Sequence, residues 1–80
     1  MTLEELGKEI KLLRKEKKWS QSDLQVYSGI TKRTLSKIEN GFMDEVGIKK
    51  VEIILNLLGA EFAIRQKGRP KTLEELQNER

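Results

Sequence analysis

Apolar residues recur at helical spacing through most of this chain. Leu3, Leu6, Ile10 and Leu13 mark a first amphipathic helix running to about Lys17. Leu24 anchors a short second segment, and Leu35 and Ile38, three apart, share one face of a third. A fourth segment begins near Gly47 or Ile48 and stops at Gly59. Its stripe is Ile48, Val51, Leu55 and Leu58, widened by Ile53, Ile54 and Leu57. That is more apolar surface than one small core needs, so this helix is expected to be central or at an interface. From Ala60 to Gln66 the period changes to two: Phe62 and Ile64 point one way, Glu61, Ala63 and Arg65 the other. Such alternation predicts a half-buried strand.

Polar residues between these segments supply their ends. Thr2 and Glu5 read as a capping box, and Thr72 with Glu75 repeats it within a second copy of the pentapeptide TLEEL. The repeat reads as one cap solution used twice, not as a duplicated domain. Ser20 with Asp23 caps the second helix, and Gly29 in Ser28-Gly29-Ile30 ends it, because glycine takes the left-handed conformation without a steric cost. Thr31 caps the third helix, and Asn40-Gly41 closes it. Residues 20–41 therefore predict two short helices joined by a tight turn. Burial of Leu35 and Ile38 turns Lys32, Arg33, Ser36 and Lys37 away from the core. A two-turn helix with a basic outer face, wedged against another short helix, suits docking into the major groove of DNA.

No second strand is evident in the chain, and a lone strand leaves its backbone groups unpaired. Residues 60–66 are therefore expected to pair with the same strand of a second copy, making a two-fold dimer through Phe62 and Ile64, with Leu57 beside them. An extended tail lying on the core is the alternative. Lys67 to Lys71 forms a basic linker, and Thr72 to Arg80 a short last helix. Phe42 and Met43, in the connection after Gly41, fit either the core or a partner. Trp19, between the first two helices, reads as a core or hinge plug rather than a ligand stacker. The cluster Arg14, Lys15, Lys17 and Lys18 matches the helix dipole at a C-terminus and equally fits a phosphate-facing role.

Composition narrows the chemistry. Eighty residues make one small domain, short enough for a partner subunit to help stabilise it. Cysteine and histidine are absent, which removes disulfides, the usual zinc ligands and the usual general base. No metal, cofactor or catalytic set is expected. No apolar run approaches a membrane span, and the N-terminus is not signal-like, so a cytoplasmic, nucleoid-associated protein is expected. The net charge of +3 is uneven: residues 1–71 hold 15 basic and 10 acidic side chains, residues 72–80 one and three. A basic body is compatible with a polyanionic partner.

The segments LRKEKKWSQSDL, SGITKRTLSKIENG and LNLLG together resemble the phage-repressor, Xre-like helix-turn-helix transcriptional regulators, over roughly Leu6 to Leu58. The tail resembles, more loosely, an antitoxin-type subgroup that dimerises partly through an intermolecular sheet. The resemblance implies a mainly α, lambda-repressor-like domain of four to five helices with one C-terminal strand paired across a dimer. Residues 1–59 would be the DNA-binding domain, 60–66 the dimerisation element, and 67–80 linker and helix. It further implies that Gln21 and Thr31 bind phosphate, with Asn40 just past the helix. Lys32, Arg33 and Lys37 would fall where base edges are read, with Thr34 and Ser36 secondary. Arg33 ranks first, since guanidinium suits bidentate bonding to guanine, whereas Lys32 and Lys37 fit phosphate equally well. Arg14 and Glu39 match a pair joining the first and third helices, expected to be buried and bidentate. One departure stands out. The family places a small residue where this chain has Gln25, so the glutamine has to angle outward or widen the helix crossing.

Two functions follow from these expectations. One is a homodimeric, sequence-specific repressor on a palindromic operator of double-stranded DNA. The other is an antitoxin-type module that captures a toxin protein through the fourth helix, strand and tail, and regulates its own operon.

Overall fold

A computed structural model describes residues 2–64. Among them the chain forms four helices: α1 (Leu3–Glu16), α2 (Gln21–Ser28), α3 (Lys32–Glu39) and α4 (Ile48–Leu57). Their order and boundaries follow the predicted segments closely. α3 lies against both α1 and α2, and α2 also packs on α4. The core between them comprises Ile10, Leu24, Ile30, Leu35, Ile38, Met43, Val51, Ile54, Leu55 and Leu58.

The caps predicted at Thr2, Ser20 and Thr31 form, the one at Thr2 as the hydroxyl half of the expected box. The Thr2 hydroxyl accepts from Glu5 N at 3.1 Å. Ser20 and Asp23 make a full capping box: Asp23 N donates to Ser20 Oγ at 3.0 Å and Ser20 N to Asp23 Oδ2 at 2.8 Å. Thr31 Oγ1 accepts from Thr34 N at 3.3 Å.

Three of the four helices end in one hydrogen-bond arrangement, with a left-handed residue one place past the C-cap. After α3, Phe42 N donates to Lys37 O at 2.8 Å and Gly41 N to Ile38 O at 3.1 Å. After α4, Ala60 N donates to Leu55 O at 2.8 Å and Gly59 N to Asn56 O at 3.1 Å. After α1, Trp19 N donates to Arg14 O at 3.2 Å and Lys18 N to Lys15 O at 2.9 Å. Gly41 and Gly59 hold the left-handed position in two of them, but after α1 it is Lys18, at φ 60°.

Several expectations change in the folded chain. Ile48 is 72% exposed, because it opens α4 on the side away from the core; Ile54 takes its place in the buried stripe. Leu3 is half exposed for the same reason, standing at the first position of α1. Met43 enters the core and Phe42 stays on the surface. Gly7 stands inside α1, where helix propensity alone would favour alanine, yet it is a contact requirement: a Cβ there would stand 2.5 Å from Ile38 O and 2.8 Å from Glu39 O. α1 therefore crosses the end of α3 backbone to backbone.

The strand expected over 60–66 does not form within the described part of the chain. Residues 61–64 carry no regular structure, Ile64 is fully exposed, and no described segment offers them a ladder partner. Isolated backbone cannot close strand hydrogen bonds by itself. Arg65, Gln66, the basic linker and the helix expected from Thr72 lie outside the described residues.

Candidate nucleic-acid interface

Helix α3 divides cleanly. Leu35, Ile38 and Glu39 are buried; Lys32 and Arg33 are exposed on its first turn; Thr34, Ser36 and Lys37 are half-buried between. The two exposed cations stand at the positive end of the helix dipole, where cations are disfavoured and anions favoured. α1 does the opposite, with Glu4 and Glu5 in its first turn and Arg14 and Lys15 in its last. α3 thus carries a charge order that weakens it alone and suits a bound polyanion.

The buried end of α3 is fixed by an ion pair. Arg14 Nε donates to Glu39 Oε2 at 2.7 Å and Nη2 to Glu39 Oε1 at 3.0 Å. The third guanidinium nitrogen, Nη1, donates to Trp19 O at 2.7 Å. Both side chains are almost fully covered, at 9% and 3% exposure, so the bidentate, buried form of the pair is the one present. Trp19 is half-buried as a plug between α1 and α2, its ring 4.9 Å from that of Tyr27 and 5.3 Å from Lys17 Nζ.

Gln21 is the first residue of α2, and its Nε2 donates to Glu39 Oε1 at 3.3 Å. The same carboxylate therefore orients Arg14 and Gln21, tying the start of α2 to the end of α3. Thr31 and Asn40 bracket α3 as its exposed N-cap and C-cap. The Thr31 hydroxyl donates to Thr34 Oγ1 at 3.2 Å, so these two hydroxyls hold each other. Lys37 Nζ lies 3.7 Å from Glu45 Oε2 in an exposed pair of the kind worth under about 1 kcal/mol. Phe62 and Ile64 are exposed, while Leu57 is half-buried against the protein's own core.

Sequence reasoning missed the Gln21–Glu39 bond and one further contact beside this face. Gln25, exposed on α2, reaches across the turn, and its Oε1 accepts from Lys32 N at 2.8 Å. The glutamine angles outward and caps α3. Its unusual size beside a small-residue position was the available signal.

A family model for the helix-turn-helix matches residues 10–64, which is more than half of the chain. The chain belongs to the phage-repressor, Xre-like helix-turn-helix family. No curated protein and no solved structure matches it. As a helix-turn-helix regulator it binds double-stranded DNA in a sequence-specific manner. Among the described residues, this regulator has no cluster of His, Cys, Asp or Glu able to hold a metal ion, and no helix long and apolar enough to cross a membrane.

Proposed function

We propose that this helix-turn-helix regulator acts as a homodimeric repressor on a palindromic operator, with α3 in the major groove. The observation that carries the reading is the pair of exposed cations, Lys32 and Arg33, on the first turn of α3. A folded chain has no internal reason to put them at the positive end of a dipole; a phosphate-lined groove supplies one. Arg33 is the chief base reader, with Lys32 and Lys37 beside it and Thr34 and Ser36 as minor contacts. Gln21, Thr31 and Asn40 take phosphates on either side. Gln21 keeps a second amide N–H for that purpose while Glu39 holds the first.

Residues 60–66 pair across the two-fold axis in this proposal, with Phe62 and Ile64 covered by the second copy and Leu57 beneath. Their exposure in the single chain, 43% for Phe62 and complete for Ile64, supports the need for a cover. The test is selection of bound duplexes from a random pool, with the mass of the complex measured alongside. The expected outcome is a palindrome whose half-sites lie about 10 base pairs apart, bound by two chains. Absence of any sequence preference overturns α3 as the reader. A monomer on DNA overturns the dimer and leaves Phe62 and Ile64 to another protein, as in a toxin–antitoxin pair.

A further inference from the structure

We propose that Gln25 is a positioning residue that determines which bases the regulator selects. This inference rests on α3 being the reading helix. The turn between α2 and α3 is closed by four short hydrogen bonds, and Gln25 accepts two of them. Its backbone carbonyl takes Gly29 N at 2.9 Å, and its side-chain carbonyl takes Lys32 N at 2.8 Å. The other two belong to Ser28, whose hydroxyl donates to Leu24 O at 2.6 Å and accepts from Ile30 N at 3.0 Å. Of these, only the Gln25 side-chain bond runs directly from α2 to the first residue of α3.

Its mechanical consequence follows from position. The first N–H groups of a helix have no partner within it. On α3, Thr31 takes Leu35 N through its carbonyl at 2.9 Å and Thr34 N through its hydroxyl at a long 3.3 Å. Lys32 N is taken by α2 instead. The far end of α3 is clamped by Glu39 through Arg14 and Gln21. Gln25 is the matching clamp at the near end, one residue from Arg33. With both ends held, α3 has one pose against α2, and Arg33 projects from a defined point. With the near end released, the first turn of α3 is held by Thr31 and the apolar contacts of Ile30 and Leu35, and Arg33 sweeps over a wider arc. Base reading depends on side-chain geometry within fractions of an ångström; phosphate attraction depends on it far less. Gln25 therefore governs preference among sequences more than affinity for DNA in general.

The bond also defines the chemistry of the outer edge. Lys32 N is a donor, so the carbonyl of the Gln25 amide must face it, and Nε2 faces away. Gln25→Glu keeps the clamp, adds a negative charge near the groove and removes the outer donors. Gln25→Ala removes the clamp and restores the small residue.

The experiment compares the full chain with Gln25→Ala and Gln25→Glu by selection from a random duplex pool. Anisotropy titrations follow on the preferred duplex and on its single-base variants. Thermal melts of all three proteins confirm that they fold at the assay temperature. The expected result is that Gln25→Ala loses on the order of tenfold in discrimination at the bases nearest Arg33, the scale of one mismatch, with little change on random DNA. Gln25→Glu keeps the preferred sequence and binds every duplex more weakly through charge repulsion. An unchanged preference in Gln25→Ala, or an equal loss on all duplexes, overturns the proposal. A loss of preference in Gln25→Glu equal to that of Gln25→Ala overturns it too, since the clamp would then be irrelevant and the outer amide the reader. Lack of preference in the unaltered protein would instead remove the reading of α3 on which the inference stands.

Discussion

Glu39 accepts hydrogen bonds from two different helices while almost wholly buried. Replacing it with alanine leaves the Arg14 guanidinium charged and uncompensated in the core. Glu39→Ala is therefore expected to lose about 3–5 kcal/mol of stability, read as a lower urea midpoint at unchanged slope. A loss below about 1 kcal/mol would mean that the pair behaves as a solvated one. Gly7 makes the converse case. Helix propensity alone favours alanine there by up to about 1 kcal/mol. The carbonyl oxygens of Ile38 and Glu39 occupy the space that a methyl needs. Gly7→Ala is expected to destabilise by about 1–3 kcal/mol, as overpacking does, and the same denaturation measurement gives its sign. The Arg14–Glu39 pairing was legible in the sequence through the family pattern. The need for glycine at position 7 was not, because it arises from the carbonyls of Ile38 and Glu39, on a helix remote along the chain.

At the scale of the element, the end of α1 differs from those of α3 and α4 only in carrying Lys18 where they carry glycine. A side chain in the left-handed region costs about 1–2 kcal/mol, partly offset by the smaller chain entropy of lysine. Lys18→Gly is expected to stabilise by up to about 1 kcal/mol and to raise the melting temperature by a few degrees. Helix α3 presents the opposite compromise, stability set against binding. Arg33→Ala is expected to cost about 1–3 kcal/mol on the preferred duplex and to relax selection at one base position. Lys32→Ala, which removes a point charge rather than a bidentate fork, is expected to weaken binding to all sequences more than it relaxes selection and to reduce the salt slope by about 1. Anisotropy titrations at several salt concentrations separate the two. The caps at Thr2, Ser20 and Thr31 and the breaks at Gly29, Gly41 and Gly59 were readable in advance, since each acts on its immediate neighbours. Gln25 bridging to Lys32 was not, since it depends on the angle between two helices.

At the scale of the molecule, among the described residues the helix-turn-helix domain closes its core between Leu6 and Ala60, and Phe62 and Ile64 lie exposed beyond it. Because Ile64 is fully exposed in the single chain, Ile64→Asp should leave the helical content of the folded chain unchanged, and only the part of the melting temperature that depends on protein concentration should be lost. If residues 60–66 join two copies, the same change should produce a monomer by sedimentation equilibrium. Operator affinity should then fall on the order of a hundredfold, as two linked half-site contacts become independent. A dimer that persists in this variant would assign dimerisation to another surface.

Four amphipathic helices, their caps, the basic outer face of α3 and the absence of histidine and cysteine chemistry were determined by the sequence alone. Each depends on residue types a few positions apart, where periodicity and local hydrogen bonding act. The backbone crossing at Gly7, the carboxylate shared by Arg14 and Gln21, and the clamp of Gln25 on Lys32 were decided only by the tertiary structure. Those contacts join separate helices, and the free energy of burying one common core is what brings them within reach.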